Sequence, residues 1–418
     1  MRLKVQIDEI KFDRDLYPRF QADNETVNQY RLAIDSLPPL LVTKDLVLVD
    51  GYHRLLAYRL EGVKEVEVEI LETDDPKEIL LEAVRRNSTH GRQLSIAEKR
   101  ENAKKLWSLG LRDVDKLASI LSVSTRTIQR WTRELRERED EELNRQILDL
   151  YLQCNSFREI AKELNMSHMA VRNRLIKHMY NLRQLSENIQ PESLQLYNVW
   201  NVKGLSPSQL QYPGQTPLEI VENIIYYYTD PPRIEPELKF DKVVDPMAGS
   251  GVVAEACRKL LRRYLLLDLK PMREDIPIIQ NDILEGFPPK AYNADLVYFD
   301  PPYYNLMDDY PRNMFNESYE SFLKAMEISL RNIMEILSED GKVALILKPM
   351  NEKMLGGEWL DLTIDCVEIA RSLGYKLVKR ICAPLPTQQF RAVDVQRAKE
   401  RRIMLNTLRD IVILKGDR

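Results

Sequence analysis

The sequence is poor in the residues that build metal centres and disulfide frameworks. Its 418 residues include only four cysteines and four histidines. The cysteines are far apart and form no Cys-x-x-Cys pair; they are Cys154, Cys257, Cys366 and Cys382. Such a pattern favours neither a zinc site nor disulfides and is typical of a reducing cytoplasm. We therefore predict a cytoplasmic protein without a bound metal.

Long apolar runs are missing as well. No uncharged apolar segment approaches the ~18 residues that span a bilayer, and the opening residues, MRLKVQIDEIKFDRD, lack the apolar core of a secretory signal. These absences argue against a membrane partner. What is present, 44% hydrophobic and 30% charged residues, is ordinary for a globular protein. The length predicts roughly two to four domains.

The small net charge of −4 hides a local asymmetry. Residues 92–183 contain 19 Lys and Arg against 13 Asp and Glu, so the rest of the chain is acidic. A basic segment within an acidic chain indicates a localised contact with nucleic acid.

Changes in pattern predict three folded regions and one linker. Residues 1–91 mix strand and helix patterns, residues 92–190 are helical and polar, and residues 191–211 have a linker composition. Residues 212–418 alternate strand-like and helical runs, which predicts a mostly parallel sheet covered on both faces. Its predicted strands are Lys242–Asp245, Tyr264–Asp268, Leu296–Phe299, Lys342–Leu347 and Ile411–Leu414. The predicted fold class is a small α/β domain, an all-α region and a carboxyl-terminal α/β domain.

The helical region contains one helix-turn-helix pattern twice, 43 residues apart. Each copy has a small residue, a turn residue four positions later and a β-branched residue ten positions later. These are Ala118, Ser122 and Ile128 in the first copy, and Ala161, Asn165 and Val171 in the second. The small residue allows close helix crossing, and the turn residue tolerates a left-handed backbone. Ser124 and Ser167 are placed to cap each second helix.

The second helix of each copy is basic on its exposed side. The candidate DNA contacts are Arg126, Gln129, Arg130 and Arg133 in the first copy, and Arg172, Asn173, Arg174 and Lys177 in the second. Arg, Gln and Asn recognise base edges in the major groove, while Lys and further Arg hold phosphates. The alternative is a helical bundle with solvated charges, but two matched copies favour binding to double-stranded DNA.

The stretch VDGYHRLLAYRLEG, residues 49–62, resembles the amino-terminal domain of the ParB/sulfiredoxin superfamily. A strand at Leu46–Val49 and a helix at about His53–Leu60 flank its glycine turn. The resemblance implies a phosphate or nucleotide contact by Gly51, His53 and Arg54, and a glycine turn at a helix amino terminus is an anion site. The chain has Tyr52-His53-Arg54 where the partition-protein form has an acid and two arginines. A structural role, or a DNA contact, is therefore the alternative.

The stretch KVVDPMAGSGVVAEA, residues 242–256, predicts a strand, a glycine-rich turn and a helix. The turn lets a ligand approach the backbone, and the helix amino terminus favours a negative group. Asp268, at the end of the next predicted strand, is placed to bind ribose hydroxyls. These features alone also suit NAD.

Four motifs in one order resemble amino-group DNA methyltransferases that use S-adenosyl-L-methionine. They are YPGQTPLEIVENIIYYYTDP (212–231), DPMAGSG (245–251), NDILEG (281–286) and DPPY (300–303). The resemblance implies a Rossmann-like domain and a cofactor site. Its residues would be Tyr212, Gln215, Thr216, Pro217, Asp245, Pro246, Met247, Ala248, Gly249, Ser250, Gly251, Asp268 and Asp282.

The DPPY motif explains how such an enzyme could act on a weak nucleophile. The lone pair of an exocyclic amino group is delocalised into the base, so its nitrogen must become more tetrahedral before it attacks a methyl sulfonium. Asp300 and the carbonyl of Pro301 would each accept one amino hydrogen, with Pro302 fixing the backbone. Tyr303 could stack on a base that has left the duplex.

The sequence thus predicts a site-specific DNA methyltransferase. Adenine N6 is the preferred target, because the acid form of the motif is commoner among adenine enzymes of this resemblance. The alternatives are cytosine N4, an RNA base, and a partition-like DNA-binding protein whose methyltransferase domain does not catalyse. A homodimer and a cognate restriction nuclease are partners that the sequence leaves open.

Overall fold

The computed structural model describes residues 2–89, 93–186, 189–202, 216–302, 315, 317–347, 361–384, 392–402, 404 and 408–417. The chain divides into two compact units, Met1–Leu143 and Asn144–Arg418. The region predicted at 92–190 therefore contributes residues to both units.

The first unit begins with a four-stranded sheet in the order β1-β4-β2-β3. Its strands are β1 (Arg2–Gln6), β2 (Leu40–Thr43), β3 (Leu48–Asp50) and β4 (Glu65–Leu71). The helices around it are α1 (Asn24–Leu32), α2 (Tyr52–Leu60) and α3 (Pro76–Thr89). On β4 the valines at 66 and 68 are buried while the glutamates at 65 and 67 are exposed, because side chains alternate across a strand. Residues 2–89 thus form the mixture of strands and helices that the sequence predicts for residues 1–91.

The next segment is helical, as predicted. It forms α4 (Ile96–Ser108), α5 (Val114–Leu121), α6 (Thr125–Trp131), α7 (Arg133–Leu152), α8 (Phe157–Glu163) and α9 (His168–Ser186). We call α5–α6 the first helix pair and α8–α9 the second. The first pair lies in the first unit, and the second pair lies in the second unit.

Both helix pairs have the local geometry that the repeated pattern predicts. Ser122 and Asn165 adopt left-handed backbones, each with φ of 51°. The hydroxyl of Ser124 accepts the Thr127 N–H, and that of Ser167 accepts the Ala170 N–H. The alanines at 118 and 161 and the β-branched residues at 128 and 171 are buried.

The second unit contains a seven-stranded sheet in the order β10-β11-β9-β8-β5-β6-β7. Its strands are β5 (Lys242–Asp245), β6 (Arg263–Asp268), β7 (Ile278–Gln280), β8 (Ala294–Phe299), β9 (Leu337–Leu347), β10 (Tyr375–Pro384) and β11 (Leu408–Gly416). Its further helices are α10 (Leu218–Tyr228), α11 (Val252–Leu260), α12 (Tyr319–Ile336), α13 (Leu362–Ser372) and α14 (Ala392–Arg401).

The sheet is mostly parallel, as expected. Strands β7, β6, β5, β8 and β9 pair in parallel. Strand β11 lies between β9 and β10 and is antiparallel to both. The five predicted strands match β5, β6, β8, β9 and β11, whereas β7 and β10 were not predicted. Both unpredicted strands are edges of the sheet, so neither has the continuous apolar run of a strand buried on two faces.

The order of the strands fixes where a ligand would bind. The chain runs from β5 outward through β6 and β7, and then returns to the other side of β5 as β8 and β9. Ligands of open α/β sheets bind beyond the carboxyl ends of the strands at such a switch point. Residues that follow β5 and β8 therefore meet at the edge where a site is expected. Among the described helices, none is long and apolar enough to cross a membrane.

Candidate active site

The glycine turn after β5 is held in shape by backbone geometry and by one acid. Gly249 and Gly251 have positive φ angles of 46° and 74°, a region where glycine is free of the Cβ clash. The Gly249 N–H donates to Asp268 Oδ2 at 2.9 Å, and the Lys270 N–H donates to Oδ1 at 2.9 Å. Gly251 begins α11. The turn therefore presents backbone groups and a helix amino terminus to the crevice.

Three carboxylates converge at this edge of the sheet. Asp245 is buried and accepts the Met247 N–H at 3.1 Å. Burial raises the pKa of Asp245 well above its usual value, and the charges of Asp300 and Asp268 raise it further. The carboxyl groups at this edge offer oxygen acceptors to hydroxyl donors of a ligand.

The acid of the DPPY motif is held at the end of β8 by a residue from another motif. The Thr216 hydroxyl donates to Asp300 Oδ2 at 2.7 Å, and Thr216 is buried just before α10. Asp300 is half-buried beside the buried Pro301. One carboxylate oxygen is thus fixed by a hydroxyl. The sequence did not predict this contact, because 84 residues separate the partners.

Tyr298, two residues before Asp300 on β8, is a buried phenol that is influenced by a buried cation. Burial raises the pKa of Tyr298 well above its usual value, the charge of Asp300 raises it further, and Arg409 lowers it. Arg409 is in β11 and only 6% exposed. No sequence motif marked either residue, since tyrosine and arginine within strands carry no pattern of their own.

The other predicted cofactor residues are only partly described. Asp282 follows β7, and its Oδ1 accepts the Leu284 N–H at 2.9 Å. Tyr212, Gln215 and Tyr303 lie outside the described residues. Within the described residues, no group of three or more His, Cys, Asp and Glu side chains could hold a metal ion.

The predicted DNA contacts lie on both helix pairs. Exposed side chains are those of Arg126, Gln129, Arg130 and Arg133 near the first pair, and Arg172, Asn173 and Lys177 on the second. Arg133 begins α7 rather than ending α6. Arg174 is half-buried and donates to Asn144 Oδ1 at 3.3 Å.

The residues of the ParB-like stretch are engaged in contacts within the first unit. Arg54 donates to Asp50 Oδ2 at 2.8 Å and to the carbonyls of Pro38 and Pro39 at 2.7 and 2.6 Å. His53 Nε2 accepts the Asp23 N–H at 2.9 Å. Gly51 has a φ of 107° and is the N-cap residue directly before α2. These contacts hold parts of the first unit together, which is the structural alternative to phosphate binding.

Comparison with known proteins gives one family match. Residues 97–279 match a family model described as DNA methylase, of the N6/N4 class. This match includes the glycine turn and Asp268 and ends before Asp300. No curated protein matches the chain.

Several solved structures are similar to parts of the chain. ParB from Caulobacter crescentus, complexed to the centromeric parS site, is 23% identical over 32% of this chain and 71% of that chain, with a TM-score of 0.25. A putative DNA modification methylase from Thermus thermophilus, complexed with S-adenosyl-L-methionine, is 20% identical over 32% of this chain and 52% of that chain, with a TM-score of 0.24. A TehB-like methyltransferase from Corynebacterium glutamicum is 14% identical over 58% of this chain and 99% of that chain, with a TM-score of 0.29.

The family match and the motifs at the sheet edge agree on one class. The chain is an S-adenosyl-L-methionine-dependent methyltransferase. More specifically, the matched segment, residues 97–279, is that of DNA methylases of the N6/N4 class, whose target is an exocyclic amino group of adenine or cytosine.

The residues present fit this cofactor. The carboxylate of Asp268 offers acceptors for ribose hydroxyls, and the glycine turn leaves room for a close approach of the ligand to the backbone. When bound, S-adenosyl-L-methionine supplies an electrophilic methyl group on a sulfonium.

Proposed function

We propose that the protein methylates the N6 amino group of adenine at specific sites in double-stranded DNA. The observation that carries this proposal is the hydrogen bond that holds Asp300 at the switch point, beside the glycine turn. Adenine is preferred over cytosine because the aspartate form of the motif is commoner among the adenine enzymes that the chain resembles.

The proposed chemistry uses the chain's own oxygen atoms. Thr216 donates to Asp300 Oδ2, and the carboxylate of Asp300 is proposed to accept one amino hydrogen of the base. The Pro301 carbonyl accepts the other hydrogen, and Pro302 limits backbone motion. Two acceptors stabilise the positive charge that develops on nitrogen as the methyl group arrives. Tyr303 is proposed to stack on the base.

Thr216 provides a first test of this arrangement. Thr216→Val keeps the shape of the side chain but leaves Asp300 Oδ2 without its hydroxyl donor. A hydrogen bond to a charged group contributes ~1.5–3 kcal/mol, so we expect kcat to fall by at least about ten-fold. Single-turnover methylation of duplex DNA would measure this.

The conservative variant decides between two roles of the threonine. Thr216→Ser restores the hydroxyl and should recover most of kcat. If Thr216→Val instead raises the KM for the cofactor and leaves kcat unchanged, Thr216 binds the cofactor and does not position Asp300.

We also propose that both helix pairs contact DNA. Arg126→Ala removes a cation from α6, and each phosphate contact contributes about 0.9 to the slope of log affinity against log salt concentration. We expect weaker binding and a slope smaller by about 1, measured by fluorescence anisotropy from low to moderate salt. Arg331→Ala, on α12, is the matched control. An unchanged slope in the Arg126 variant would contradict a phosphate contact.

The functional regions are proposed to follow the sequence boundaries. The ParB-like part comprises residues 1–91, and the DNA-binding region comprises residues 92–190. A linker at residues 191–211 connects these to the methyltransferase domain, residues 212–418, which binds the cofactor and catalyses the reaction. Nucleotide binding by the ParB-like part is tested by comparing the nucleotide affinity of the Arg54→Ala variant with that of the unaltered protein.

One experiment tests the proposed function most directly. DNA from cells that express the protein is sequenced for modified bases, with cells that express Asp300→Ala as the control. N6-methyladenine at one sequence supports the proposal, and N4-methylcytosine would replace the adenine assignment. Transfer of a labelled methyl group to RNA in preference to duplex DNA would contradict it.

A further inference from the structure

We infer that the second helix pair is a fixed part of the catalytic body, so that the sequence contacted by α9 determines which base enters the active site. This inference rests on the proposed function and adds to it the part of the chain that sets the position of the methylated base.

An aromatic cluster joins the second helix pair to the sheet. The Tyr151 ring, near the end of α7, stacks on Phe157 of α8 at 5.1 Å and meets Phe240 edge-on at 5.3 Å. Arg263 lies over the same ring at 4.6 Å, and its Nε donates to the Tyr151 carbonyl at 3.2 Å. A cation over the face of an aromatic ring is attracted by the negative charge of that face. The Arg263 guanidinium therefore contacts both the buried ring and the backbone carbonyl of Tyr151, which fixes the direction of the side chain.

The hydrophobic core continues across this junction. Cys154, in the turn between α7 and α8, is buried in the same cluster as Val244 of β5 and Leu265 of β6. Packed cores do not deform continuously. The turn of the second helix pair is thus part of the core of the sheet.

Two ion pairs flank the junction. Asp149 Oδ1 lies 3.2 Å from Arg258 Nε, and Glu159 Oε1 lies 2.7 Å from Lys290 Nζ. The Lys290 ammonium and the Ser156 backbone lower the pKa of Glu159 to about 2. These side chains are about half exposed. Each ion pair therefore orients the second helix pair against the sheet more than it stabilises the fold.

Three of the anchoring residues, Arg258, Arg263 and Lys290, lie on or directly before elements that carry part of the active site. Arg258 is on α11, which begins at the glycine turn, and Arg263 starts β6, which ends at Asp268. Lys290 is in the 3-10 turn Pro289–Ala291 that precedes β8 and Asp300. The far end of α9 is also held, because the Tyr180 hydroxyl donates to Glu235.

A helix anchored in this way places its exposed side chains at a constant distance from the catalytic acid. Arg172, Asn173 and Lys177 are exposed on α9. The bases they contact should therefore lie a constant number of base pairs from the base that is methylated.

A cross-link tests whether the pair stays docked during catalysis. Glu159→Cys and Lys290→Cys are introduced together with Cys382→Ser, since Cys154, Cys257 and Cys366 are buried. A short bifunctional thiol reagent joins the new cysteines, and a monofunctional reagent on the same protein is the control. We expect the cross-linked protein to methylate duplex DNA at a rate within about two-fold of the control.

The opposite result is distinguishable from failure of the proposed function. If the cross-linked protein binds DNA normally but methylates at least about ten-fold more slowly, the helix pair must separate and the inference is overturned. If neither the control nor the unaltered protein methylates DNA, the proposed function itself has failed.

A measurement of sequence specificity tests whether the bases contacted by α9 determine which base is methylated. Arg172→Ala with Asn173→Ala should lower the sequence preference about ten-fold at positions a constant distance from the methylated base, as measured by sequencing modified DNA. Arg331→Ala on α12 is the control. An unchanged set of methylated sequences in the α9 variant overturns the inference.

Discussion

Asp300→Ala should abolish most methyl transfer while leaving cofactor and DNA binding near normal. The variant removes the carboxylate that Thr216 holds at the end of β8. Loss of one preorganised group at a transition-state charge lowers kcat by roughly 100- to 1,000-fold. Transfer of a labelled methyl group to duplex DNA measures the rate, and calorimetry measures cofactor affinity.

Two further variants make this result specific. Asp300→Asn keeps an oxygen for Thr216 but offers an amide in place of a charge, and we expect it to remain strongly impaired. Glu237→Ala, at an exposed acid of the same unit, should behave as the unaltered protein. Near-normal methylation by Asp300→Ala would remove the DPPY carboxylate from the mechanism.

Asp268→Ala should weaken cofactor binding more than any change to the catalytic acid. Its two oxygens accept the Gly249 and Lys270 N–H groups and close the glycine turn. With hydrogen bonds to charged groups contributing ~1.5–3 kcal/mol each, we expect the cofactor Kd to rise by at least about 30-fold. Isothermal titration calorimetry of S-adenosyl-L-methionine checks this.

Stability must be separated from binding in that experiment. Asp268→Asn retains one acceptor and should lie between the alanine variant and the unaltered protein. Thermal melting without cofactor reports any loss of fold. An Asp268→Ala protein that melts normally and binds cofactor with unchanged affinity would contradict the assignment.

The structural features that could be predicted from the sequence are those that depend on a few consecutive residues. The strand-turn-helix of the glycine motif and the two helix pairs depend on local offsets, and the left-handed Ser122 and Asn165 follow from them. Such features are set by backbone sterics and capping.

The sequence did not predict contacts between distant segments. The pairing of Thr216 with Asp300 and the packing of Tyr151 against Arg263 join residues 84 and 112 positions apart. Threonine, tyrosine and arginine are common on ordinary helices and strands, so no local pattern separates these from their neighbours. The short edge strand β7 was missed for a related reason, since three residues are too few to show a period.

The position of β11 has a consequence for biosynthesis. It is the last strand of the described chain, yet it lies between β9 and β10 in the sheet. Because a nascent chain emerges from its amino terminus onward, β10 leaves the ribosome before the strand that joins it to the sheet. The seven-stranded sheet therefore completes its fold only after translation has passed residue 416, and until then one edge of β9 lacks the strand that pairs with it in the folded protein.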